Sequence, residues 1–128
     1  VDEPLRRTLA HELAHAFVVE KGGPAVPRWL NEGLAQHAEG RRLSDFRLTS
    51  AERAEIASPV EPASPRLFYA QALARTEFLI ERYRMSRVMD LLDEMSGGRS
   101  FEDALGRNAH VEWDRLHTEY ARWVATAR

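Results

Sequence analysis

The chain has 128 residues, no cysteine, a formal net charge of −2, 44% hydrophobic and 30% charged content. That is enough apolar material for one domain with a real core and argues against disorder, while the lack of cysteine excludes disulfides and thiolate metal sites. The near-neutral balance gives no electrostatic reason to expect nucleic acid as a partner, since the arginines are interspersed with acids along helical stretches and read as solvated faces.

The pattern along the chain predicts an all-α fold without a convincing strand. A first helix runs from about residue 4 to 20, with Asp2 as its cap, Pro4 in its first turn and Gly22-Gly23 after its end. Leu5, Leu9, Leu13, Ala14, Phe17 and Val18 leave it little polar surface, which predicts a helix buried through the middle of the domain. A second helix covers about residues 28 to 39 and ends at Gly40. Thr49-Ser50-Ala51-Glu52 is a capping-box pattern for a short third helix, followed by the proline-containing loop 58–64. Pro65 opens a long helix whose buried side is marked by Leu67, Phe68, Leu73, Phe78, Leu79 and Tyr83, and a further helix covers about residues 86 to 95. Ser100 caps a short helix ending near Gly106. The last helix, about residues 111 to 126, packs through Trp113, Leu116, Tyr120, Trp123 and Val124.

Within the first helix stands His11-Glu12-Leu13-Ala14-His15. Helical residues four apart share a face, with side chains roughly 6 Å apart, so both histidines can reach one metal ion. Glu12 lies about 100° round the same helix, where its carboxylate can meet a water at the metal without having to bind the metal. A catalytic zinc typically takes three protein ligands and keeps one position open. Glu32, in the first turns of the second helix, supplies an acidic third ligand.

The string Trp29-Leu30-Asn31-Glu32-Gly33-Leu34-Ala35 resembles the W-L-N-E-G-x-A signature of the gluzincin metallopeptidases, both the aminopeptidase N-like enzymes and the smaller peptidase MA-like domains. Sixteen residues separate His15 from Glu32, a shorter spacing than is usual in the aminopeptidases. The shortening falls in the Gly22-Gly23-Pro24 to Pro27 turn, which favours the smaller peptidase MA-like group. Leu67-Phe68-Tyr69-Ala70-Gln71-Ala72-Leu73 resembles the segment that carries an oxyanion-facing tyrosine in these families, and Tyr69 is the matching residue. Its surroundings depart from the frequent Tyr-x-Lys-Gly pattern.

The resemblance implies a helical catalytic subdomain of a zincin-like metallopeptidase, acting on peptide or protein substrates with one Zn2+ per chain held by His11, His15 and Glu32. Glu12 is then the general base that takes a proton from the attacking water and returns it to the leaving amine. Tyr69 donates a hydrogen bond to the developing oxyanion. Asn31 is expected to organise the Glu32 helix, and Trp29 to pack. Such peptidases normally place a β-sheet before the motif helix, and that part is missing here, so peptide positioning by this chain alone would be incomplete.

The plainer readings are a zinc-binding helical scaffold that has lost turnover, or a helical interaction domain without metal. The retained Glu12 argues against the first, because a structural zinc site has no need of a base and usually fills its fourth position with protein. His37, His110 and His117 lack ligand spacing to one another and are expected to be surface or satisfied core residues. No stretch reaches the eighteen or so apolar residues of a membrane span, and the N-terminus has no signal-peptide pattern. The chain reads as a single helical domain over residues 1–128, excised from a longer protein, with any export signal upstream.

Overall fold

The computed structural model describes residues 2–126, and among them there are six α-helices and no strand. These are α1 (Glu3–Gly22), α2 (Arg28–Ala38), α3 (Ser50–Ala57), α4 (Pro65–Ser96), α5 (Phe101–Ala109) and α6 (Trp113–Thr126), with 3-10 turns at Gly23–Ala25 and Leu43–Phe46. The caps expected from the sequence are made. Asp2 accepts from the Leu5 amide at 2.9 Å and Ser100 from Asp103 at 3.1 Å, and Ser64, read from the sequence only as a loop residue, caps α4 by accepting from Leu67 at 3.4 Å. Thr49 and Glu52 complete a reciprocal capping box at 3.0 and 3.1 Å.

The long helix and the helix expected after it form one element, α4, broken at Arg84, where φ is 75° and ψ is 157°. That conformation belongs almost entirely to glycine, and the break turns the second half of α4 back onto the core through Val88, Leu91, Leu92 and Met95. All five other helices pack against α4. Its buried residues Leu67, Ala70, Leu73, Ala74, Phe78 and Leu79 form the centre of the core with Leu30, Leu34, Ile56, Leu116, Tyr120 and Val124.

α2 and α4 approach each other closely at Gly33. A Cβ on Gly33 would lie 1.9 Å from Thr76 Oγ1 and 2.4 Å from the Ala72 carbonyl, so only glycine fits there. This seats the helix carrying Glu32 directly on α4.

A buried polar clamp fixes the loop that leads into α4. Gln71 Nε2 donates to the carbonyls of Ile56, Ser58 and Val60, Tyr120 donates to the Ile56 carbonyl at 2.8 Å, and Arg75 reaches the Pro59 carbonyl at 3.3 Å. Burial raises the Tyr120 phenol well above its ordinary pKa, so it remains a donor. Arg75 is buried against the rings of Trp29 and Trp113, at 5.4 and 5.6 Å, and Trp29 also packs edge-on to Phe101. The packing role expected for Trp29 is the one observed.

The burial expected for α1 is not. Val18 is only 1% exposed, but Leu5, Leu9, Leu13 and Phe17 are 50%, 48%, 68% and 51% exposed. α2 and α4 cover only one side of α1, which leaves an apolar stripe turned outward. The sequence shows that this helix is apolar around much of its circumference; it does not show how many neighbours surround it.

Candidate metal centre

The site forms where α1 crosses α2. His11 and His15 project from successive turns of α1 towards α2, and their Nε2 atoms are 3.0 Å apart. Glu32 reaches both, with Oε1 at 3.3 Å from His11 Nε2 and Oε2 at 3.2 Å from His15 Nε2. All three residues are partly buried, and one ligand atom from each lies within 4.8 Å of the others, a grouping that could hold a metal ion.

The outward nitrogen of each ring has its own partner. His11 Nδ1 is 2.8 Å from Glu39 Oε1, and His15 Nδ1 is 2.7 Å from Asn31 Oδ1. A carboxylate and an amide oxygen are acceptors, so these contacts put the proton of each neutral imidazole on Nδ1. Both Nε2 lone pairs then face one another and the Glu32 carboxylate with no donor among them. With both rings neutral, such a convergence of acceptors is unfavourable unless a proton or a metal ion sits among them.

Asn31 therefore does more than organise its own helix, since it crosses to α1 and sets the tautomer of His15. Glu39 was not singled out from the sequence. The signal for it was present, because Glu39 follows Glu32 by seven residues and two helical turns return it to nearly the same face.

Glu12 is exposed at the edge of α1 between the histidine face and the apolar stripe, and no ion pair engages it among the described residues. A buried acid neutralised by arginine is thus not what the structure contains. Tyr69 is 38% exposed, unlike the buried residues around it on α4. Its carbonyl accepts from Gln36 Nε2 at 2.9 Å, and its ring lies 5.6 Å from that of Phe68, over which Arg28 sits at 4.1 Å. Arg28 and Gln36 stand one turn before and one turn after Glu32 on α2, so the Tyr69 backbone and the neighbouring Phe68 ring meet that helix on either side of Glu32.

The remaining histidines lie elsewhere. His37 pairs with Glu77 at 3.0 Å, His117 is buried and bonded to the Ala57 carbonyl at 3.0 Å, and His110 is exposed. A cavity of about 880 Å³ lined by His37, Arg41, Glu77, Glu81 and Trp123 opens beside α2, but His37 is about 140° round that helix from Glu32, and none of His11, His15 and Glu32 lines the cavity.

No helix among the described residues is long and apolar enough to cross a membrane. No curated protein and no solved structure gives a significant match to the chain. A family model described as the peptidase MA superfamily matches residues 4–126, which takes in all of α1 but its first residue, the whole of α2 and every residue of the site. The all-helical chain, with two histidines and a glutamate gathered between its first two helices, belongs to the peptidase MA superfamily.

Proposed function

We propose that this chain is a zinc-dependent metallopeptidase domain in which His11, His15 and Glu32 hold one Zn2+, Glu12 is the general base and Tyr69 stabilises the oxyanion. The observation that carries the reading is the convergence of two Nε2 lone pairs and a carboxylate at separations of 3.0, 3.2 and 3.3 Å. Tetrahedral zinc with ligand bonds of about 2.0–2.1 Å requires ligand atoms about 3.3 Å apart, so the donor set fits the ion in both type and spacing. Family membership supports the same chemistry.

Zinc, when bound, supplies Lewis acidity to a water and to the peptide carbonyl. The protein's own residues supply the rest. Glu39 and Asn31 fix the two imidazoles in the tautomer that ligates. Glu12, free of any cation partner and open to solvent, accepts the proton of the attacking water and delivers it to the amine as the C–N bond breaks. Tyr69 presents a phenol O–H to the carbonyl oxygen as negative charge grows on it, a contact worth about 3 kcal/mol when preorganised. Peptide or protein chains are the substrates this chemistry addresses.

The test is Glu12→Gln assayed against a mixed peptide pool with zinc supplied. Unchanged zinc binding with a loss of hydrolysis of at least about a hundredfold supports the base role. Equal hydrolysis by parent and variant contradicts it, and zinc binding without hydrolysis in the parent favours a metal-binding scaffold.

A further inference from the structure

The rim of the candidate site carries a cation that no ion pair neutralises among the described residues. Arg28 opens α2 one turn before Glu32, about 40° from it around the helix and about 6 Å along it on ideal geometry. It is exposed, and among the described residues no carboxylate forms an ion pair with it. Arg7, Arg66, Arg82, Arg99 and Arg107 each have one, and what sets Arg28 apart from the remaining arginines is its place one helical turn from Glu32.

Arg28 is nevertheless held in place. Its guanidinium lies 4.1 Å from the centroid of the Phe68 ring, and Phe68 packs edge-on to Tyr69. Stacking occupies one face of the guanidinium and leaves its in-plane N–H donors open, the fork that fits a carboxylate. The N-terminus of its own helix adds positive partial charge beside it. α2 has no side-chain cap and no acidic residue in its first turn, so the positive end of the helix dipole is not offset. Of the acids near the site, Glu32 and Glu39 are engaged with the histidines, and Glu12 projects from the edge of α1.

We propose that Arg28 is a specificity-determining residue that recognises a carboxylate of the bound peptide, within one or two residues of the bond to be cut. The carboxylate belongs either to an acidic side chain or to a free C-terminus. A peptide advances about 3.5 Å per residue, so a cation one helical turn from a metal ligand matches that register. This inference rests on the metallopeptidase reading and adds to it the chemical class of substrate.

The test uses N-acetylated pentapeptides with Glu or Gln at the centre, each with a free or amidated C-terminus. They are titrated by calorimetry into the zinc-loaded chain in a Glu12→Gln background, which prevents turnover. The chain should bind a charged form roughly tenfold more tightly than its neutral counterpart. Arg28→Met, which keeps an apolar stem over Phe68, should abolish that preference at unchanged zinc content and melting temperature, and Arg28→Lys should restore part of it. A preference that follows the central residue assigns the side chain, and one that follows the terminus assigns the C-terminus. A chain that holds one zinc yet binds charged and neutral peptides equally, or binds none, overturns the role of Arg28 and leaves the metal site standing. A chain that holds no zinc fails the underlying reading, and this inference fails with it.

Discussion

The Nε2 atoms of His11 and His15 stand 3.0 Å apart while Glu39 and Asn31 hold the opposite nitrogen of each ring. Asn31→Ala or Glu39→Ala removes an acceptor that orients a ligand without removing the ligand, so each should weaken zinc affinity by about 10–100-fold. Glu39→Gln keeps an acceptor oxygen and should lose less. Competition with a chromophoric chelator measures the change, and unaltered affinity in both alanine variants would show that these contacts do not orient the histidines.

Gly33 is expected to tolerate no side chain. Gly33→Ala drives a methyl group into Thr76 and the backbone of Ala72 and should destabilise the fold by about 1–3 kcal/mol, read as a lower urea midpoint. Because the clash lies next to Glu32, zinc affinity should fall as well. A neutral effect on stability would mean that α2 and α4 are further apart than described.

The break in α4 should respond in the opposite direction. Arg84 holds φ 75° and ψ 157°, a region costing a non-glycine residue about 1–3 kcal/mol, and Arg84→Gly removes that cost while adding some chain entropy to the unfolded state. A gain of about 1 kcal/mol in unfolding free energy is expected, with zinc binding unchanged. A loss would indicate that the arginine side chain contributes more than the backbone strain removes.

His37 ties α2 to α4, and its hydrogen bond to Glu77 raises its pKa above 6.5 despite the opposing effect of burial. A histidine whose folded pKa lies above its unfolded value stabilises the fold below the unfolded pKa, and that contribution is lost as pH rises through the folded one. His37→Gln should therefore lower Tm at pH 5.5 and have little effect at pH 8.5. The effect should be small, because both side chains are about a third exposed. A deficit of equal size at both pH values would show that the charge is not involved.

Most of the helical architecture was legible because its signals are local. Asp2, Thr49 and Ser100 cap helices through bonds to residues three positions on, and the apolar periodicity of α4 and α6 gives their buried faces directly. The gathering of His11, His15 and Glu32 was legible because two of them share a helical face and the third lies in a recognisable string. What was not legible depends on contacts between distant parts of the chain. The partner of His11 is Glu39, a contact spanning 28 positions, and it depends on the angle at which α1 meets α2. Likewise the composition of α1 reveals apolar residues at Leu5, Leu9, Leu13 and Phe17 but not that they face outward. The break at Arg84 has no glycine or proline to announce it.

The most direct test of the metal-centre account is the zinc content of the purified chain after stripping and defined reloading, compared with Glu32→Ala. One tightly bound zinc per parent chain and a clear loss of affinity in the variant is the result expected from ligation by His11, His15 and Glu32. A folded parent that takes up no zinc, or a Glu32→Ala variant that binds it as tightly as the parent, would contradict that ligand set.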